Sequence, residues 1–379
     1  MRRIFIGVPG TPPAGYDVVV DAGALGRLGV LVVRAAPAAR YAVLADDRVA
    51  ALYGAAVCSA LAAAGVRADL VPFAAGEARK TVATWAELVD ALVRLGVGRD
   101  GCVVALGGGV AGDVAGFVAA TYLRGIPLVQ VPTTLLAMVD ASVGGKTGVD
   151  TAAGKNLVGA FHQPRLVVAD PEVLASLPEA ELRAGLAEAV KHGAIADAAY
   201  LDGIARDADR LLGRDAEALA ALVARSVEIK AEVVAADPWE AGRRASLNFG
   251  HTIGHALEAL SGYTLRHGHA VAIGMVAEAL IGESAGVTEP GTAARLRGVL
   301  DRLGLPTGWP AGMDPAAVVA QGGRDKKVRG GRVRYAMIAR VGAVARTGAG
   351  EWTVEVPDRV AVEALGGMGA ATPSPFAGM

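Results

Sequence analysis

The amino-acid sequence predicts an α/β domain with a parallel sheet, followed by a mainly helical domain. Over the first 170 residues, short apolar or β-branched runs alternate with longer Ala- and Leu-rich stretches, which is typical of a parallel sheet covered by helices on both faces. After Asp170 the pattern changes to amphipathic helical stretches with few strand candidates. The chain has 379 residues, so we expect domains over 1–170 and 171–365 and a disordered tail over 366–379.

The elements of the first domain are justified by short apolar runs that end in turn-forming residues. Strands are expected at 41–45, 68–73, 102–106, 127–131 and 165–170. The intervening stretches predict helices, for example Val82 to Leu95. In the second domain the run RVRYAMIARVGAVART interrupts the helical pattern and predicts a strand or a hairpin.

Composition and charge exclude several functional classes. Hydrophobic residues make up 53% of the chain, and 37 Lys and Arg face 38 Asp and Glu, so no nucleic-acid or membrane partner is expected. The mean hydropathy is +0.40, but the longest uncharged segment, 125–139, contains two prolines and indicates buried core rather than a membrane span. Cys58 and Cys102 form no disulfide framework, and the N-terminal apolar stretch is too short for a secretion signal. We therefore expect a cytoplasmic protein.

A glycine-rich turn follows the strand predicted at 102–106. Gly107–Asp113, with the sequence GGGVAGD, satisfies GxGxxG between a strand and a helix. Glycines there let backbone N–H groups approach a pyrophosphate, and the helix presents its positive N-terminus to the same charge. No acid follows about twenty residues later. Asp46 and Asp47, at an earlier strand end, are candidates for that role. A tight structural turn is the alternative interpretation.

Two lysines in a loop-like segment suggest an anion site. Lys146 and Lys155 each follow a glycine, and Asn156 can donate to a hydroxyl or an oxyanion. Thr133 and Thr134 follow a strand, at the edge of the sheet where ligands of open α/β sheets bind. The alternatives are two solvated surface lysines and ordinary loop chemistry.

The segment RASLNFGHTIGH carries the most informative pattern. At roughly 100° per residue, Arg244, Asn248, His251 and His255 fall within about 60° of one another on a helix. Such a polar face is costly to bury unless it binds a ligand, and with His267 it suggests a metal.

An upstream carboxylate completes a zinc-compatible set. Glu188 and Lys191 share a helix face at i and i+3, where a surface ion pair is the alternative interpretation. One glutamate with two histidines, here Glu188, His251 and His267, suits a divalent metal with open coordination positions.

Several long motifs together resemble one family. GGGVAGDVAGFVAATYLRG, VPTTLLAMVDASVGGKTGVD, GKNLVGAFHQP, AEAVKHG, RASLNFGHTIGHALE, HGHAVAIGM and RDKKV are similar, in order and spacing, to the sugar phosphate cyclases and, within them, the 3-dehydroquinate synthase family. The resemblance implies a Rossmann-like NAD-binding domain, a helical domain that holds zinc or cobalt, and a homodimer.

The implied activity belongs to the shikimate pathway. It converts 3-deoxy-D-arabino-heptulosonate 7-phosphate to 3-dehydroquinate and phosphate by transient NAD-mediated oxidation, phosphate elimination, reduction, ring opening and aldol closure. NAD is regenerated in each turnover.

The resemblance also implies roles for individual positions. The metal ligands are Glu188, His251 and His267. The catalytic residues are Lys146, Lys191, Lys230, Arg244, Asn248 and His255. Further substrate contacts are Asp140, Asn156, one of Lys326 and Lys327, and Arg124 from the neighbouring subunit. The NAD contacts are Asp46, Glu77, Lys80, Gly108, Gly109, Val110, Asp113, Thr133, Thr134, Lys146, Lys155 and Ser176.

Departures from the family pattern leave competing interpretations. Met138, Asp150, Ser176 and His269 stand where many members have Gln, Asn, Thr and Glu, and His269 is close enough to His267 to compete as a ligand. A valiolone- or inosose-forming cyclase is disfavoured by His255 and by the GGK motif, respectively. An amino-dehydroquinate synthase, an iron-type alcohol dehydrogenase and a non-catalytic binding protein remain alternatives.

Overall fold

A computed structural model of the chain describes residues 1–9, 14–323 and 333–369. The chain divides into two compact units. The first comprises Met1–Pro178 and Ala216–Pro238, and the second comprises Glu179–Asp215 and Trp239–Met379. Lys326, Lys327 and most of the predicted tail, from 370 on, lie outside the described residues.

The first unit contains a seven-stranded sheet in which all five predicted strands are present. Its strands are β1 (Arg2–Gly7), β2 (Gly15–Val20), β3 (Arg40–Asp46), β4 (Ala68–Phe73), β5 (Gly101–Gly107), β6 (Leu128–Pro132) and β9 (Leu166–Ala169). Their order is β1-β2-β9-β6-β5-β3-β4. Only β1 pairs in the antiparallel direction, with β2; the other pairs are parallel. The sequence analysis missed β1 and β2.

Helices cover both faces of this sheet, as predicted. They are α1 (Leu28–Ala35), α2 (Asp47–Val49), α3 (Ala55–Ala63), α4 (Val82–Leu95) and α5 (Gly109–Thr121). Within β3, Ala42 and Leu44 pack on the side of α4 and α5, whereas Tyr41 and Val43 pack on the side of α1 and α3. Successive side chains of a strand point to opposite faces, so an apolar run without alternation buries both.

The segment that contains Lys146 and Lys155 is a β-hairpin, so the prediction of a loop there is wrong. Strands β7 (Lys146–Thr151) and β8 (Gly154–Phe161) pair in the antiparallel direction. Val149 on β7 is fully buried in the core that also contains α5. A Cβ at Gly159 would lie 2.1 Å from the Thr147 carbonyl oxygen. The glycines therefore permit close pairing of the strands here rather than marking irregular backbone.

Helix α9 (Ala216–Ala236) belongs to the first unit, unlike in the continuous division expected at 170/171. It packs on β1, on β2, on the π-helical turn Ala137–Ala141 and on the 3-10 turn Pro171–Ser176. An amphipathic pattern shows that a helix buries one face but does not show which sheet or helix covers that face.

The second unit is mainly helical, which confirms the predicted fold class. Its helices are α6 (Glu179–Ala196), α7 (Ala198–Arg206), α8 (Ala208–Leu212), α10 (His251–Leu260), α11 (His267–Ser284), α12 (Thr292–Arg302), α13 (Pro315–Gly322) and α14 (Asp358–Gly366). Among its described residues, four short strands form two pairs: β10 (Arg334–Tyr335) with β13 (Val354–Glu355), and β11 (Ile338–Arg340) with β12 (Ala343–Val344). The β11–β12 pair is the predicted hairpin. Over the described residues, no helix combines the length and apolar character needed to span a membrane.

Candidate functional site

The glycine turn joins β5 to α5 at the carboxyl edge of the sheet. Gly107 ends β5, and Gly108 precedes the first residue of α5. A Cβ at Gly107 would lie 3.2 Å from Asp46 Oδ2, and one at Gly108 would lie 2.9 Å from Thr134 Cγ2. The Thr133 amide donates to the Gly107 carbonyl oxygen at 2.9 Å. The turn, the end of β3 and the residues after β6 thus meet at one edge, as expected for a ligand of an open sheet.

A buried lysine links two of the proposed ligand contacts. Lys80 Nζ donates to Asp113 Oδ2 at 2.5 Å and to Asn156 Oδ1 at 2.6 Å. Burial opposes the charge of Lys80, but the Asp113 carboxylate more than offsets it and raises the pKa of Lys80. Nearby on the hairpin, Lys155 Nζ lies 3.4 Å from Glu77 Oε1. The structure therefore places five of the predicted residues in contact: two ion pairs, Lys80–Asp113 and Lys155–Glu77, and the hydrogen bond from Lys80 to Asn156.

Other predicted residues of the first unit lie in different surroundings. Lys230, on α9, is almost fully buried, donates to the carbonyl oxygen of Asp140 at 2.6 Å and forms an ion pair with its carboxylate. Ser176 Oγ lies 2.7 Å from the Tyr53 hydroxyl and donates to the Val173 carbonyl oxygen. Lys146 is exposed at the start of β7. Lys230 and Asp140, two predicted substrate contacts, thus hold each other in place.

Three predicted metal ligands meet in the second unit. Glu188 is on α6, His251 is the first residue of α10, and His267 is the first residue of α11. The Nε2 atoms of His251 and His267 lie 3.5 Å and 3.4 Å from Glu188 Oε1. A tetrahedral ion with bonds of about 2.1 Å holds neighbouring ligand atoms about 3.4 Å apart. The distances from Glu188 Oε1 to the two nitrogen atoms thus match those of a tetrahedral zinc or cobalt site, and all three ligand atoms lie within 4.8 Å of one another.

Neighbouring acceptors orient both imidazoles. His267 Nδ1 lies 2.7 Å from Glu258 Oε1, and His251 Nδ1 lies 3.2 Å from the Phe249 carbonyl oxygen. Each ring donates its Nδ1 proton to that acceptor and leaves Nε2 to face Glu188. Glu188 itself is fully buried, forms an ion pair with Lys191 and accepts no hydrogen bond at either carboxylate oxygen. A buried carboxylate of this kind fits a cation.

The two histidines differ in protonation. Burial lowers the pKa of His251 to about 4, although Glu188 opposes this shift. Burial also disfavours charge on His267, but its interactions with the Glu188 and Glu258 carboxylates more than offset it and raise its pKa to about 10. Burial disfavours the charge of Glu188, but the Lys191 ammonium overcomes this effect and holds the pKa of Glu188 well below the usual range. At neutral pH the site therefore contains one carboxylate, one neutral imidazole and one imidazolium.

The prediction of one continuous helix through Arg244, Asn248, His251 and His255 is wrong. Arg243–Asn248 forms a 3-10 turn, and α10 begins only at His251. Between them Gly250 has φ 81°, in the left-handed region that favours glycine. The 100° spacing therefore applies to the two histidines alone.

The sequence analysis missed Glu258. With His255 and His267 it forms a second group of possible ligand atoms within 4.8 Å of one another. Glu258 lies seven residues after His251 on the same helix, and this spacing could have revealed it. Neither group of possible ligands among the described residues includes His269.

Comparisons with known proteins agree with this geometry. Models of the 3-dehydroquinate synthase N-terminal and C-terminal domains match residues 70–184 and 185–328. A 3-dehydroquinate synthase from Symbiobacterium thermophilum is 54% identical over 334 residues, which cover 88% of this chain and 93% of that protein.

Two solved structures share the fold over nearly the whole chain. 2-Deoxy-scyllo-inosose synthase, complexed with carbaglucose-6-phosphate, NAD+ and Co2+, has a TM-score of 0.87 at 25% identity, covering 96% of this chain and 99% of that one. 2-Epi-5-epi-valiolone synthase from Streptomyces hygroscopicus, with NAD+ and Zn2+ bound, has a TM-score of 0.81 at 30% identity, covering 92% and 95%.

The fold, the buried carboxylate–histidine group and these similarities define the class as the sugar phosphate cyclases. Within that class the chain belongs to the 3-dehydroquinate synthase family, because the two domain models together match more than half of it. It is an enzyme, a phosphate-eliminating carbon–oxygen lyase that forms 3-dehydroquinate. The predictions of family, fold class and activity are confirmed.

Proposed function

We propose that this chain forms 3-dehydroquinate from 3-deoxy-D-arabino-heptulosonate 7-phosphate with bound NAD and one divalent metal ion, zinc or cobalt, held by Glu188, His251 and His267. The observation that carries the metal site is the spacing of its donor atoms around the buried Glu188 carboxylate. When bound, NAD supplies a transient oxidation of the substrate, and the metal polarises the hydroxyl that is oxidised. The two solved relatives described above bind NAD+ with Co2+ or Zn2+, which supports both cofactors.

The first unit supplies the NAD contacts in this proposal. The glycine turn presents backbone N–H groups at the N-terminus of α5 to the pyrophosphate, and Asp46 next to it accepts hydrogen bonds from a ribose. Lys80 holds the Asp113 side chain in place through an ion pair. The remaining contacts are Glu77, Val110, Thr133, Thr134, Lys146, Lys155 and Ser176.

Cationic and hydrogen-bonding side chains bind the substrate, which carries a carboxylate and a phosphate. Asp140 holds the Lys230 ammonium at a defined position, which lowers the entropy lost when an anion is bound. The His255 ring lies 5.2 Å from that of His251, centroid to centroid, and serves proton transfer. The other substrate contacts are Lys146, Asn156, Lys191, Arg244, Asn248 and one of Lys326 and Lys327.

A homodimer completes the proposal. Strand β8 exposes Leu157, Val158 and Phe161, each about two-fifths accessible, on a two-stranded hairpin. An exposed apolar strand of this kind favours binding to another protein chain. We propose that a second copy of this chain packs against β8. Arg124, with φ 69°, is held in the left-handed region and reaches the neighbouring subunit's substrate. Sedimentation of Phe161→Glu as a monomer would support this interface, and an unchanged dimer would contradict it.

We place the enzyme in the cytoplasm. Cys58 and Cys102 are both free thiols, which suits a reducing compartment. Fractionation of cells that make the protein tests this placement, and recovery outside the cytoplasm would contradict it.

The metal site is tested with Glu188→Gln and the matched variant Glu363→Gln, which changes an exposed glutamate on α14. Phosphate and 3-dehydroquinate are followed together with catalytic NAD. We expect equal amounts of both products without net NADH from the parent enzyme and from Glu363→Gln, and loss of both with a chelator. Glu188→Gln should bind NAD but neither retain metal nor turn over. Full metal content and activity in Glu188→Gln would contradict the assignment.

A further inference from the structure

Glu278 is a fully buried carboxylate that the proposed reaction does not use. It lies in the middle of α11. Its Oε2 accepts a hydrogen bond from the Gly250 amide at 2.8 Å, and its Oε1 accepts one from the Ile253 amide at 3.0 Å. Both amides belong to the N-terminal turn of α10, which begins at His251.

Glu278 satisfies backbone N–H groups at the start of α10 that the helix's own sequence leaves without an acceptor. The first N–H groups of a helix have no acceptor within the helix, and a side chain at the N-cap usually supplies one. Here the N-cap is Gly250, which has no side chain. Glu278 supplies both acceptors from another helix, and the positive end of α10 favours its negative charge.

Close helix packing allows Glu278 to reach this turn. Gly274 precedes Glu278 by one turn of α11, and a Cβ there would lie 1.9 Å from the Gly250 carbonyl oxygen. A Cβ at Gly254 would likewise lie 3.1 Å from the Ala270 carbonyl oxygen. The backbones of α10 and α11 therefore touch where the carboxylate meets the amides.

We propose that Glu278 is a positioning residue for the metal site: by holding the Phe249–Gly250 turn and the start of α10, it aims His251 Nε2 at Glu188. The same turn provides the Phe249 carbonyl oxygen that lies 3.2 Å from His251 Nδ1. A shift of the turn would thus move both the ligand and the acceptor that orients it. This inference rests on the metal site of the proposed function.

A matched control exists on the same helix. Glu283 Oε1 accepts a hydrogen bond from the Ala293 amide at 2.8 Å, in the first turn of α12. Glu283 therefore also serves a helix N-terminus, but one that begins with no proposed metal ligand. Glu283→Gln controls for the loss of such a carboxylate, and Glu278→Gln removes the one at α10.

Cobalt binding separates positioning from simple stabilisation. Each full-length variant is stripped of metal and titrated with Co2+ well below its melting temperature, with the visible absorption spectrum as a second readout. We expect Glu278→Gln to bind Co2+ about 10- to 100-fold more weakly, as for other residues that orient metal ligands, and with an altered spectrum. Glu278→Asp, which keeps the carboxylate, should recover part of the affinity, and Glu283→Gln should match the parent protein.

Each outcome has a distinct meaning. If the parent protein binds no Co2+, the proposed metal site fails. If Glu278→Gln melts at a lower temperature but binds Co2+ with the parent affinity and spectrum, the metal site stands and the positioning role of Glu278 is refuted.

A measurement on the parent protein covers the case in which Glu278→Gln does not fold. Amide hydrogen exchange of the segment 249–254 is compared with and without metal. We expect the Gly250 and Ile253 amides to stay protected in the metal-free protein, because Glu278 and not the metal holds them. Exchange at the rate of an unstructured chain after metal removal would overturn the proposal.

Discussion

Gly274 packs against the backbone of α10, and we predict that Gly274→Ala weakens metal binding. The added Cβ would lie 1.9 Å from the Gly250 carbonyl oxygen and 2.9 Å from the Gly254 amide nitrogen. Both contacts are with backbone, so no flexible side chain can move aside. His251 begins α10 and His267 begins α11, so a change in the spacing of these helices changes the spacing of two proposed ligands.

The magnitude follows from these distances. Ordinary van der Waals contact begins at 3.4 Å. The two helices must therefore separate by about 1.5 Å at this point, and overpacking of this kind costs about 1–3 kcal/mol of the free energy of unfolding. Metal–ligand distances tolerate only about 0.2 Å. Even a fraction of the shift at His251 Nε2 exceeds that tolerance, so metal affinity should fall by at least about 100-fold, the upper end for residues that orient ligands.

The assay is calorimetric titration of metal-free protein with Zn2+, together with thermal unfolding. Gly298→Ala is the control, because Gly298 lies within α12 and a Cβ there meets nothing within 4 Å. Alanine is favoured over glycine in a helix by about 1 kcal/mol, so Gly298→Ala should raise the melting temperature and leave zinc affinity unchanged. Parent-like zinc affinity and melting temperature in Gly274→Ala would refute the reasoning.

Two further predictions concern protons and NAD. Because the pKa of His267 in the folded, metal-free protein is about 10, above the ordinary 6.5, its contribution to stability is complete below pH 6.5 and is lost as the pH rises towards 10. A metal ion must displace that proton from His267. Calorimetry in buffers of different ionisation enthalpy should therefore show about one proton released per metal ion at pH 7, and fewer in Glu258→Gln. Metal binding without proton release would contradict the positive charge assigned to His267. Gly108→Ala should weaken NAD binding about tenfold or more, because the added Cβ would lie 2.9 Å from Thr134 Cγ2. In Gly109→Ala the added Cβ would have no neighbour closer than 3.5 Å, which is ordinary van der Waals contact. Equal NAD affinities of the two variants in a fluorescence titration would count against this prediction.

The central strands were predictable because local pattern and burial agree. Residues 41–45 of β3 and 102–106 of β5 are apolar at every position, and the structure buries both faces of these runs. The β7–β8 hairpin was missed because its glycines look like loop residues in isolation. Their role as points of close strand approach depends on the partner strand.

The sequence by itself determined the fold class, the family and the residue types of the proposed metal site, because long motifs and apolar periodicity are local properties of the chain. Only the tertiary structure decided that α9 joins the first unit and that α10 begins at His251 rather than continuing from Arg244. It also revealed the contact of Glu258 with His267 and that of Glu278 with the backbone at the start of α10. The physical reason is that these features depend on contacts between elements distant in the chain, where a carboxylate from one helix or a missing Cβ on another sets the geometry, and helical periodicity carries no record of such contacts.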